Sequence, residues 1–176
     1  MAYTPRRCPL ACQLAPEYVR SLQPTFFRLG IHPDLLLSDS SHIAPDTVEH
    51  WVTVGKELAE LGLEASVHLP FDGINLGSRS PRVRDLGEQI LVDAIRVASS
   101  TGAKLAVMHT GFVPLIPEKA AGNWLGVFSE RFAMLREHAE SEGVAILLEN
   151  TWEPDTWLFE ELRTRLGPDL SFCLDI

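Results

Sequence analysis

The stretch Ala139-Glu140-Ser141-Glu142-Gly143-Val144-Ala145-Ile146-Leu147-Leu148-Glu149 decides the fold class. It reads as the last turn of a helix, a glycine that closes it, a short apolar run and an acid. Three further stretches repeat the pattern. Residues 57–62 lead into Glu64-Ala65-Ser66-Val67-His68, Ser99-Ser100-Thr101-Gly102 into Lys104-Leu105-Ala106-Val107-Met108-His109, and Thr164-Arg165-Leu166-Gly167 into Leu170-Ser171-Phe172-Cys173-Leu174-Asp175. Glycine reaches the left-handed conformation at a helix C-terminus without steric cost, so Gly62, Gly102, Gly143 and Gly167 are expected helix caps.

Ahead of each glycine lie apolar residues at helical spacing. These are Val48, Trp51, Val52, Gly55 and Leu58; Leu86, Ile90, Leu91, Ala94, Ile95 and Ala98; Leu125, Phe128, Phe132, Leu135 and Ala139; and Leu158, Phe159, Leu162 and Leu166. Ser80 before Pro81, and Pro154 before Asp155, mark expected helix starts. The intervening runs are continuous and apolar, which predicts parallel strands buried on both faces. Strands alternating with helices in this way give a parallel α/β architecture. Towards the amino terminus, residues 17–28 predict a helix, 34–37 a strand and 8–13 a weak first strand. About six βα units result. No low-complexity linker interrupts them, so residues 1–176 are expected to form a single domain, with the Pro/Gly-rich segment 112–117 as a loop over a site.

Composition narrows the partners. The chain has 45% hydrophobic and 22% charged residues, the make-up of a folded globular protein and not of a disordered one. A formal net charge of -9 argues against a general polyanion-binding surface and favours small molecules over nucleic acid. No apolar run approaches the roughly 18 to 20 residues that cross a bilayer, and the first residues, with Arg6, Arg7 and Pro9, lack the apolar stretch of a secretory leader. A cytoplasmic location without membrane partners is expected. Cys8, Cys12 and Cys173 form no CxxC pair, so reduced thiols are expected and not a disulfide framework or a thiolate zinc site.

In parallel α/β folds the active site lies at the carboxyl ends of the strands. Here His68, His109, Glu149 and Asp175 each end a predicted strand. One histidine at a strand end is commonly a structural residue, but four potential ligands at the same structural position point to a shared divalent cation. His50 and His138, in predicted helices, and His32 and His42, in predicted loops, receive no such support and are expected to be solvated.

The segments His68-Leu69-Pro70-Phe71-Asp72-Gly73-Ile74-Asn75-Leu76-Gly77-Ser78, Val107-Met108-His109-Thr110-Gly111, Leu148-Glu149-Asn150-Thr151 and Phe172-Cys173-Leu174-Asp175 together resemble the xylose isomerase-like TIM-barrel superfamily. That superfamily includes sugar phosphate isomerases and epimerases and nucleases of the endonuclease IV type. The resemblance runs from about Leu58 to the last residue. It implies a (β/α)8 barrel, which typically needs about 250 residues. With 176 residues the chain is expected to be a barrel truncated to about six βα units, lacking the C-terminal ones. The open edge of its sixth strand would be available to a second copy of the chain, so a homo-oligomer is expected.

The resemblance also implies roles. Glu149 and Asp175 match metal ligands in both branches. In the isomerase and epimerase branch a histidine and a glutamate from strands seven and eight complete the set, and the histidines matched by His68 and His109 more often contact substrate or support the ligands. In the nuclease branch those two histidines are zinc ligands of a trinuclear site, and a further histidine follows the strand-six aspartate, where this sequence has only Ile176.

Two activities and a non-enzymatic alternative follow. The first is a metal-dependent sugar or sugar-phosphate isomerase or epimerase using Mn, Mg, Co or Zn, with metal ligands Glu149, Asp175, His109 and His68. A cation stabilises the ene-diolate charge formed as a carbon-bound proton leaves. Glu149 doubles as base, and His68 and His109 orient hydroxyls. Phe71, Trp124 and Trp152 are candidate walls for a sugar ring, and Asn75 and Asn150 candidate polar contacts to it. The second is an endonuclease IV-like zinc phosphodiesterase on abasic DNA, which needs basic loops, and only Arg79, Arg82, Arg84 and Lys119 lie near the predicted site. The third is a catalytically incomplete barrel fragment or binding protein on the same scaffold.

Overall fold

The computed structural model describes residues 10–38, 40–116, 118–153 and 155–175. Six parallel strands form one sheet in sequence order: β1 (Ala11–Leu14), β2 (His32–Leu36), β3 (Ser66–His68), β4 (Leu105–His109), β5 (Ala145–Glu149) and β6 (Ser171–Cys173). Five helices connect them: α1 (Val19–Leu29), α2 (Val48–Glu60), α3 (Pro81–Thr101), α4 (Glu118–Ser141) and α5 (Trp157–Leu166), with short 3-10 turns at Pro16–Tyr18, Ser40–Ile43 and Pro45–Thr47. Parallel neighbours need a crossover between each pair, and the helices supply it. α2 packs on α3, α3 on α4 and α4 on α5, so α2 to α5 form a continuous layer against the sheet.

The four predicted cap glycines all have positive φ, between 68° and 100°. Helix-facing strand residues are buried: Ala106 and Met108 on β4, Ile146 and Leu148 on β5. Behind them Trp124 stacks on Phe128 at 4.7 Å and Phe128 on Phe132 at 5.5 Å, an aromatic column along α4 that fills the space beneath the sheet. α2 and α3 approach closely at Gly55, where an added Cβ would lie 2.2 Å from the Thr101 carbonyl oxygen.

Several expectations need correction. The strands are not buried on both faces throughout. Their second face lines an open cleft of about 1800 Å³, and Leu105 on that face is 38% exposed, because six strands cover only part of a barrel's circumference. The first strand begins at Ala11 among the described residues, whereas Cys8 and Pro9 lie outside them, as do Met1, Arg6, Arg7, Pro117 and Ile176. β2 begins two residues earlier than predicted. β6 ends at Cys173, so Leu174 and Asp175 extend beyond the ladder. α5 begins at Trp157, and the Asp155 carboxylate accepts the Trp157 N–H at 2.9 Å; Pro154 lies outside the described residues. Leu86 is exposed, at the edge of the apolar stripe of α3. His32 is the first residue of β2 and not a loop residue, with Nδ1 3.0 Å from the Glu64 carbonyl, and His42 sits in a 3-10 turn edge-on to Trp51.

Among the described residues, no helix is long and apolar enough to cross a membrane.

Candidate functional site

Strand register places the chemistry. Residues aligned across parallel strands share a face, and His109 aligns with Glu149, Glu149 with Cys173, His68 with Val107 and Asp34 with Ser66. His109, Glu149 and Cys173 therefore form one layer on the concave face. His68 lies one strand over and one layer lower, within reach because adjacent strands are only about 4.8 Å apart.

Three atoms converge there. His109 Nε2 lies 2.9 Å from Glu149 Oε2, His68 Nε2 lies 3.6 Å from the same oxygen, and the two Nε2 atoms are 3.0 Å apart. Two imidazole nitrogens and a carboxylate oxygen this close, with ring edges facing one another, suit a single divalent cation at Zn–N and Zn–O lengths of about 2.0–2.2 Å. The donor set therefore fits the group that the resemblance implies.

The neighbours of this trio are ordered. Phe71 stacks on His109 with centroids 4.4 Å apart and stands edge-on to His68 at 5.9 Å, covering both rings with an apolar wall. Cys173 Sγ lies 3.8 Å from Glu149 Oε1 and donates to it. Burial, reinforced by the Glu149 carboxylate, pushes the Cys173 thiol up to about 11, so it remains a protonated donor at neutral pH. On the far side of His68, Nδ1 is 3.0 Å from Asp34 Oδ2, and Ser66 Oγ donates to Asp34 Oδ1. Asp34 and His68 are both buried.

The other residues singled out in the sequence are placed differently. Asp175 lines the cleft but is exposed, two residues past the end of β6, and does not join the three converging atoms. Asn150 clasps it: the side-chain oxygen accepts the Asp175 N–H at 2.9 Å and the amide donates to the Asp175 carbonyl at 3.2 Å. Trp124 is only 7% exposed, and its indole N–H donates to Asn75 Oδ1 at 2.8 Å, so these two residues satisfy each other within the wall. Close packing reinforces this, since a Cβ at Gly77 would run into the Trp124 ring. Trp152 is 75% exposed on the β5–α5 loop.

Four contributors escaped sequence reading: Asp34, Ser66, Cys173 and Glu153. An acid opening the apolar run Leu35-Leu36-Leu37 was a usable signal for Asp34, because a buried carboxylate needs partners. Nothing local marked Glu153. Its carboxylate accepts from Thr110 Oγ1 at 2.6 Å and from the Thr151 N–H at 2.7 Å, tying the loop after His109 to the loop after Glu149. Thr110 is buried, so Glu153→Ala leaves its hydroxyl without that acceptor. The expected cost is about 1–3 kcal/mol, read as a lower denaturation midpoint at unchanged slope. An unchanged midpoint would show that the clamp contributes nothing.

Over residues 17–176 the sequence matches the xylose isomerase-like TIM barrel family. The chain belongs to that family. Among its relatives, the protein MJ1614 of Methanocaldococcus jannaschii is 31% identical over 127 residues, which cover 68% of this chain and 49% of that protein. MJ1311 of the same organism is 29% identical over 133 residues, covering 67% and 45% respectively. The chain thus spans about half the length of the curated relatives it matches. Among solved structures, the TTHB071 protein from Thermus thermophilus, soaked with ZnCl2, superposes with a TM-score of 0.76 at 27% identity, over 95% of this chain and 65% of that one. A D-tagatose 3-epimerase-like protein shares the fold with a TM-score of 0.66 at 23% identity, over 82% of this chain and 56% of that one. D-psicose 3-epimerase, solved in the presence of D-fructose, shares it with a TM-score of 0.69 at 14% identity, over 93% and 62%.

Proposed function

We propose that the protein is a divalent-cation-dependent isomerase or epimerase of sugars or sugar phosphates, transferring a proton at a carbon next to a carbonyl. The observation that carries this reading is the convergence of His68 Nε2, His109 Nε2 and Glu149 Oε2 at the carboxyl end of the parallel strands, in a cleft walled by Phe71. Structural likeness to proteins described as epimerases supports the substrate class.

A bound cation supplies Lewis acidity towards a substrate carbonyl and its neighbouring hydroxyl. The chain's own residues do the rest. Glu149 Oε2 and the two imidazoles would hold the cation. Glu149 Oε1, to which the Cys173 thiol donates, would take the carbon-bound proton. Phe71 keeps water from one side of His109 and offers an apolar face to a sugar ring. Asp175, at the edge of the cleft, and Asn150, which clasps it, are proposed polar contacts to the substrate, and exposed Trp152 a further ring contact from the neighbouring loop.

The phosphodiesterase reading has one observation in its favour, the use of both histidines in the converging set. Against it stand the net charge of -9 and Arg84, whose guanidinium donates back to the Ser78 carbonyl at 2.6 Å. The test is solvent-hydrogen exchange. The protein with Mn2+, Co2+ or Zn2+ is incubated with ketoses and their phosphates in D2O, and deuterium is sought at the carbon beside the carbonyl by NMR. Incorporation that EDTA abolishes is expected. Metal-loaded protein that leaves every sugar undeuterated yet cleaves an abasic duplex would replace this reading with the second.

A further inference from the structure

The two histidines of the cluster are held differently. His68 has a partner at each ring nitrogen: Asp34 Oδ2 lies 3.0 Å from Nδ1 and His109 Nε2 lies 3.0 Å from Nε2. Asp34 is held in turn, because Ser66 Oγ donates to its other oxygen and leaves Oδ2 free to face the ring. All of this is on adjacent strands in register, Asp34 of β2 beside Ser66 of β3, with His68 two residues further along the same strand. For His109, both polar contacts found among the described residues are at Nε2, to His68 and to Glu149.

With Asp34 Oδ2 facing Nδ1 as an acceptor, the ring places its proton on Nδ1, and its Nε2 is a bare lone pair aimed at the centre of the cluster. The 3.0 Å contact between the two Nε2 atoms is then a hydrogen bond only if His109 Nε2 carries the proton, which it shares between His68 Nε2 and Glu149 Oε2. A cation at the centre needs lone pairs from both rings. His68 already presents one; His109 must give up its Nε2 proton.

We propose that Asp34, braced by Ser66, is a positioning residue that fixes His68 in the cation-ready tautomer, so that His109 is the histidine that rearranges when a cation enters. This rests on the reading of the trio as a cation centre. Carboxylate partners behind a ligating imidazole set its tautomer and orientation, and their loss typically costs about 10–100-fold in metal affinity.

The experiment has two readouts. Long-range 1H–15N spectra of the full metal-free chain are expected to show His68 protonated on Nδ1 and His109 on Nε2; addition of Zn2+ should leave the His68 tautomer unchanged and move the His109 proton to Nδ1. Zn2+ titration calorimetry should then show about 10–100-fold weaker binding for Asp34→Ala. Asp34→Asn retains most of the affinity, because its amide oxygen still accepts from Nδ1. Metal-free wild type with His68 protonated on Nε2 overturns the proposal, as does a folded Asp34→Ala that binds Zn2+ as tightly as wild type. Should Asp34→Ala fail to fold, the wild-type tautomers decide the matter. Wild type that binds no Zn2+ overturns the cation reading itself, a failure distinct from a wrong tautomer at His68.

Discussion

Glu149→Ala is expected to abolish specific cation binding. Glu149 Oε2 is the one anionic atom in the trio and contacts both imidazoles, at 2.9 and 3.6 Å, so its removal leaves two neutral donors and no charge to match a dication. Losing a supporting group costs about 10–100-fold in affinity, and losing a direct ligand should exceed that range. The loss is also visible in stability. A cation at 100 times its Kd stabilises the native state by about 2.7 kcal/mol, a shift in melting temperature of roughly 5–11 °C for a chain of this size. Wild type should show that shift with saturating Zn2+ or Mn2+, and Glu149→Ala should show none, while substitution of the exposed Glu137 should leave it intact. A full cation-dependent shift in Glu149→Ala would remove Glu149 from the site.

Gly55→Ala is expected to be the most damaging small substitution away from the site. The added Cβ would meet the Thr101 carbonyl oxygen at 2.2 Å and its carbonyl carbon at 2.7 Å. Both are backbone atoms in the last turn of α3 and have no rotamer to escape into. Relief requires α2 to move off α3, which loosens the packing around buried Trp51, Val54 and Leu58 on one side and Ala94, Val97 and Ala98 on the other. Overpacking of this kind costs about 1–3 kcal/mol, occasionally more, and the gain of about 1 kcal/mol in helix propensity offsets only part of it. Gly126→Ala in α4 is the matched control, since a Cβ there meets nothing within 4 Å and only the propensity gain remains. Denaturant unfolding should therefore show opposite signs for the two substitutions. A stabilised Gly55→Ala would show that α2 and α3 do not approach as described.

The features legible in the sequence were those set within a few residues. Helix stripes of period 3.6, the glycines after them and the apolar runs that follow depend on local geometry, and Gly143-Val144-Ala145-Ile146-Leu147-Leu148-Glu149 carries all of it in one stretch. Strand-end polarity is equally local, which is why His68, His109 and Glu149 could be singled out without knowledge of what faced them. Edge elements were harder. Residues 8–13 carry weak strand signals, and α1 contains Pro24 within its helical span, a residue that ordinarily argues for a break.

Pairing across the sheet was decided by tertiary structure alone. Whether a strand-end residue enters the site depends on its register against the neighbouring strand and on the face it takes there, and no local pattern encodes either. Asp175 ends a predicted strand as Glu149 does, yet β6 stops at Cys173, and Cys173 takes the position beside Glu149. Trp124 follows a strand end in sequence, but its ring turns into the helix layer and its N–H towards Asn75. Asp34 becomes important only because β2 lies beside β3 and brings its carboxylate behind a histidine 34 residues away. By itself the sequence determined the repeating βα frame and the residues capable of holding a cation. Sheet register, fixed by hydrogen bonds between distant segments, selected which of those residues converge.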